Sequence, residues 1–157
     1  MTLEEDEIYI GSKIILQKNG WELLAGQPPN GCDHIPVVEI KSATNTEKGS
    51  KLSYKPDLIA HKFGIFLLVE CKPVYCETDA LKLRDILTDP SRKLMLFNEL
   101  EQRKIFLRHK IVTNLDTFVS GLNGALAYSG IDYFQKDLFT IKVSNIYGDG
   151  SIIQPSR

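Results

Sequence analysis

The sequence predicts an α/β sandwich in which helices flank a mixed central sheet of about five strands, all in one domain spanning residues 1–157. Three observations carry this expectation. Segments of helical and of strand periodicity alternate along the chain. The run Ile65-Phe66-Leu67-Leu68-Val69 is apolar at every position, as a strand covered on both faces must be. A chain of 157 residues is long enough to bury roughly two-thirds of its unfolded surface around a single core.

Thr2 followed by Glu5 reads as a capping box, and Ile8, Ile14 and Ile15 continue the pattern as a helix to Lys18, stopped by Asn19-Gly20. A short apolar strand over Trp21 to Ala25 precedes a Gly/Asn/Pro-rich loop from Gly26 to Ile35. Pro36 to Lys41 reads as a second short strand, and the polar residues 42–53 as a long loop. Two β-type runs, Lys55 to His61 and Ile65 to Lys72, flank Lys62-Phe63-Gly64 and predict a hairpin. Helices follow over Asp79 to Leu87 and from Asp89-Pro90 to Ile105, proline being favoured at a first helical position. His109 to Thr113 reads as a strand. A helix capped by Asp116 should run through Tyr128 and stop at Gly130. Short strands near Ile131 to Phe134 and Phe139 to Val143 complete the expected order.

At 43% hydrophobic and 25% charged, the composition excludes disordered and fibrous classes. Four acids and no base in the first ten residues, with no apolar run of ~18, point away from export and membrane insertion. Cys32, Cys71 and Cys76 are odd in number and lack CxxC spacing, which argues against a disulfide framework or a four-ligand zinc site; a reducing cytoplasm fits. The net charge of −1 provides no overall positive field for nucleic acid. Basic residues are nonetheless clustered, five lysines over 41–62 and six Lys or Arg over 92–110, consistent with local basic patches or with solvated faces.

The chemistry concentrates in the hairpin. Alternation along a strand places Glu70 and Lys72 on one face and Cys71 on the other. An even loop sets Asp57 directly opposite Glu70; an odd loop shifts the register by one. Directly opposed residues have Cβ atoms about 5 Å apart, so the two carboxylates would share one divalent cation, and Mg2+ suits such an oxygen set. Without a cation or a proton their repulsion would be costly in a covered sheet.

Pro56-Asp57, twelve intervening residues and Glu70-Cys71-Lys72 resemble the motif of the PD-(D/E)xK nuclease superfamily, which includes type II restriction endonucleases and archaeal Holliday-junction resolvases. The resemblance covers residues 7–73, with an acid-bearing N-terminal helix, a Gly20-Trp21 turn into a strand, and the motif hairpin. It implies a restriction endonuclease-like fold. It also implies that Asp57, Glu70 and the backbone carbonyl of Cys71 bind Mg2+, with Mn2+ able to substitute, while Lys72 orients the attacking water. Glu7 is the acid it assigns to a second metal or to the water, ahead of Glu4 and Glu5. The implied activity is hydrolysis of DNA phosphodiesters, restriction-type or DNA-processing, with a junction resolvase or a non-catalytic nucleic-acid-binding module of the same fold as alternatives. A short chain that must also recognise DNA is expected to act as a homodimer or beside a larger DNA-recognising subunit. Cys71 itself reads as a buried apolar residue. Cys32 and His34 lack a second ligand pair, His61 lies on the Asp57 face or caps the hairpin, and Lys55 falls opposite Lys72. The direction in which Gln102 points is not set by helical periodicity.

Overall fold

The computed structural model describes residues 2–29, 31, 34–40 and 53–155. Cys32, Lys41 and the loop expected over 42–53, Ser53 excepted, lie outside the described residues. Helix α1 (Glu5–Lys18) starts two residues later than the capping pattern suggested: Glu4 is its N-cap, and the Glu7 carboxylate accepts the Glu4 N–H at 2.9 Å. Glu5, Asp6 and Glu7 in the first turn complement the positive end of the helix dipole. Ile8, Ser12, Ile15 and Leu16 form its buried stripe.

Among the described residues, six strands form one mixed sheet in sequential order: β1 (Glu22–Gly26), β2 (Leu58–Lys62), β3 (Ile65–Cys71), β4 (Leu122–Tyr128), β5 (Phe139–Val143) and β6 (Gly150–Ile153). β1, β2 and β3 pair antiparallel, β3, β4 and β5 parallel, and β6 returns antiparallel to β5. The parallel step from β3 to β4 requires a crossover, which α2 (Glu77–Leu87), α3 (Pro90–Gln102), α4 (Ile105–Arg108) and α5 (Leu115–Gly121) supply. Asp89 caps α3 by accepting from Ser91 and Arg92 N–H, with Pro90 next to it as expected.

Each sheet face has its own core. Leu23, Leu58, Ala60, Leu67, Val69, Cys71, Ala125, Ala127 and Ile141 pack under α1. Leu24, Ile59, Phe66, Leu68, Leu126 and Tyr128 pack under the crossover helices, with Phe97, Phe106 and Phe118 clustered on Phe66. The odd and even positions of β3 thus go to opposite layers, which explains its unbroken apolar run.

Several expectations need correction. The segment expected as one helix to Tyr128 is two elements: Asn114 rather than Asp116 caps α5, the helix ends at Gly121, and 122–128 is a central strand. Leu- and Ala-rich sequence favours a helix locally, but the alternation is of period 2, with Ala125 and Ala127 under α1 and Gly124 under α2. A Cβ on Gly124 would lie 2.9 Å from Leu138 Cδ2 and 3.2 Å from Leu87 Cδ1, so a larger residue there would require these leucine methyls to shift. Residues 109–113 and 131–134 form no strand, and 36–40 contributes only the bridge Ile40–Tyr54. β6 was not foreseen. The expected helix to Ile105 breaks at Lys104, whose φ of 60° is left-handed, and resumes as α4. Among the described residues no helix is long and apolar enough to cross a membrane.

Candidate active site

The hairpin turn fixes the geometry of the site. Phe63 and Gly64 both have positive φ, 48° and 82°, giving a two-residue turn whose twist matches the flanking strands. The register runs from Lys62↔Ile65 to Leu58↔Val69, and one step further Asp57 faces Glu70. Contacts bind the two together: the Asp57 N–H donates to Glu70 Oε2 at 3.3 Å, and the Cys71 N–H donates to Asp57 Oδ2 at 2.7 Å. Beyond the end of β3, the Lys72 N–H still donates to the Ala127 carbonyl at 3.0 Å, so its backbone is held by the β4 ladder.

Glu70 is 4% exposed and meets three donors. Tyr54 Oη donates to Oε2 at 2.9 Å, the Asp57 N–H shares that oxygen, and Lys82 Nζ of α2 lies 2.8 Å from Oε1. Lys82 Nζ is also 3.6 Å from Asp79 Oδ1, one helical turn back, and 5.1 Å above the Tyr54 ring. Asp79 is buried, and among the described residues its Oδ2 has no hydrogen-bond partner. Lys72 Nζ leans to the other layer, 3.3 Å from Glu5 Oε1 at the start of α1. The cluster therefore sits at the end of the β2–β3 hairpin, between the N-termini of α1 and α2.

Among the described residues, four carboxylates, Glu5, Asp57, Glu70 and Asp79, face two ammonium groups, Lys72 and Lys82, and burial together with this charge appears in the acidities. Burial, then the Glu70 charge, pushes the Asp57 carboxyl up to about 7 from an ordinary 3.8, against the opposing Cys71 N–H bond. Burial also raises Glu70, with Lys82 and Tyr54 pulling the other way. Burial and the Glu70 charge hold the Tyr54 phenol well above its usual range. For Lys72 burial opposes the charge, but Glu5 outweighs it and the pKa rises; Glu70 does the same for Lys82.

Of the residues singled out by sequence, Asp57 and Glu70 come together, and Lys72 lies within the electrostatic reach of Asp57. Glu7 does not join them, because its carboxylate is held by the Glu4 N–H. Residues two apart on a helix point roughly 200° from each other, so with Glu5 turned to Lys72, Glu7 faces elsewhere. Glu5 is the acid that α1 brings to the cluster. The Cys71 side chain is fully buried toward α1, and burial pushes its thiol well up, leaving it unreactive; its backbone stands at the cluster. His61 Nε2 accepts the Gly64 N–H at 3.1 Å and caps the turn at the far end of the hairpin. Gln102 lines a separate depression with Glu39, Met95, Asn98 and Glu99.

Tyr54, Asp79 and Lys82 were missed. The i,i+3 spacing of Asp79 and Lys82 on the first helix after the motif was the available signal, but the helix rotation that turns both toward Glu70 is set by the α2–β4 packing. The chain matches no family model, no curated protein and no solved structure among those compared.

Proposed function

We propose that the chain is a divalent-metal-dependent nuclease of the restriction endonuclease-like fold that hydrolyses DNA phosphodiester bonds. The observation that carries this reading is the pair of Asp57 and Glu70 brought together at a strand end, with a lysine two residues beyond Glu70. The mixed sheet, the hairpin in motif register and an N-terminal helix delivering an acid support it.

The residues fit a divalent cation. Their donors are carboxylate oxygens, burial and the Glu70 charge together lift Asp57 to about 7, and among the described residues a buried oxygen of Asp79 has no partner. Among the described residues no three His, Cys, Asp or Glu side chains form a ready ligand group, but Mg2+ needs only one or two carboxylates and keeps several waters. Asp57 and Glu70, with the Cys71 carbonyl, would hold it; when bound it supplies polarisation of the scissile phosphate and a lowered pKa of the bound water. Lys72, released from Glu5, orients the attacking water and stabilises the charge developing on phosphate. Glu5 holds the ammonium in place until substrate phosphate competes for it. DNA recognition is assigned to a homodimer or a larger partner subunit, in the cytoplasm.

The test is a cleavage assay on linear, supercoiled and four-way-junction DNA with Mg2+ or Mn2+. Metal-dependent cleavage is expected, abolished in Lys72→Ala with fold and metal binding kept. Near-wild-type turnover by Lys72→Ala would refute the role of Lys72, and no cleavage of any substrate with either metal would refute the enzyme.

A further inference from the structure

Lys82 stands outside the motif yet makes the shortest charged contact in the cluster. We infer that Lys82 is a gate: its ammonium occupies the cation position on Glu70 in the metal-free protein and transfers along α2 to Asp79 when a divalent cation takes that position. This rests on the metal-dependent reading above and concerns how the same site is loaded.

The two oxygens of Glu70 are unequally available. Oε2 is taken by Tyr54 Oη at 2.9 Å and the Asp57 N–H at 3.3 Å. Oε1 is the oxygen left for a cation, and Lys82 Nζ stands on it at 2.8 Å. A metal and Lys82 therefore compete for one atom. Glu70 is 95% buried on its side chain, so a charge there is always compensated by something, and in the absence of metal that something is Lys82.

Asp79 supplies the second position. Its side chain is 6% exposed, its Oδ2 is buried without a partner among the described residues, and its Oδ1 already lies 3.6 Å from Lys82 Nζ. A buried carboxylate oxygen left unpaired is costly, and Lys82 sits one helical turn away on the same face. The long contact to Asp79 and the short one to Glu70 describe an ammonium in the first of two neighbouring places. The lysine is free to move between them: its side chain is 42% exposed and pivots on a flexible four-carbon stem. Leaving Glu70 would bring it onto Asp79 and give the orphaned oxygen a donor.

Competition of this kind is read in metal affinity without reference to turnover. Mn2+ is titrated calorimetrically, and by thermal melting, into the wild type, Lys82→Met, Asp79→Asn and the double variant. Lys82→Met removes the competitor and keeps the stem, and should bind Mn2+ roughly tenfold more tightly, the equivalent of one charged hydrogen bond. Asp79→Asn removes the second position and should weaken Mn2+ binding severalfold, an effect that should vanish in the Lys82→Met background. Should Lys82→Met melt too low to titrate, Lys82→Gln keeps a donor without the charge and should still bind more tightly. Equal or weaker Mn2+ binding by the Lys82 variants overturns the gate. So does an Asp79→Asn penalty of the same size with and without Lys82, which would make Asp79 a ligand or a distant charge. A wild type silent to Mn2+ fails the functional reading itself, whereas a responsive wild type with unseparated variants fails the gate alone.

Discussion

Asp57 carries an acidity that its burial and the neighbouring Glu70 charge impose, and stability should follow it. Its folded pKa of about 7 is raised above the ordinary 3.8, so between these values the folded protein holds a proton that the unfolded chain has released. The metal-free protein should therefore lose stability as pH rises from about 4 through about 7, the direction in which raised Glu70 also acts. Asp57→Asn, which keeps an oxygen for the Cys71 N–H, should flatten that slope in thermal melts in chelator and melt higher than wild type at pH 8. Parallel slopes for the two proteins would contradict the repulsion argument. This pairing was legible in the sequence, because strand parity and an even hairpin loop fix which residues oppose. Glu5, Tyr54 and Lys82 were not. Moving the helix cap from Thr2 to Glu4 exchanges the roles of Glu5 and Glu7, and nothing in residue spacing reports that two-residue shift.

The β2–β3 hairpin is the element on which the site depends, and its turn is strained. Phe63 adopts a left-handed φ of 48° and is 92% exposed, so its ring gains little in return for a conformation that Asn adopts more easily. Phe63→Asn should stabilise the fold by about 0.5–1 kcal/mol, raising the melting temperature without changing metal affinity. A drop in melting temperature would show that the exposed ring matters to the turn. The hairpin and the bodies of the first three helices were readable because their turn residues and periodicities are local, as is the Asp89 cap of α3. β4 was not: Leu122 to Tyr128 is a strand because small residues at alternate positions admit a helix layer on each face, a tertiary fact that outweighs Leu and Ala propensity. Gly121 shows the same dependence on distant neighbours, since a Cβ there would fall 2.0 Å from the Gly64 carbonyl oxygen.

Across the described residues, two helical layers meet the end of one hairpin: α1 brings Glu5 to Lys72, and α2 brings Asp79 and Lys82 to Glu70. The arrangement holds its acids close at a cost, which a divalent cation, as proposed above, would remove. The most direct measurement is calorimetric titration of Mg2+ and Mn2+ into the wild type and Asp57→Asn at neutral pH, with melting curves alongside. Binding in the micromolar to millimolar range with a rise in melting temperature, both much reduced in Asp57→Asn, is the predicted result. No heat and no melting shift with either metal in the wild type would contradict the account.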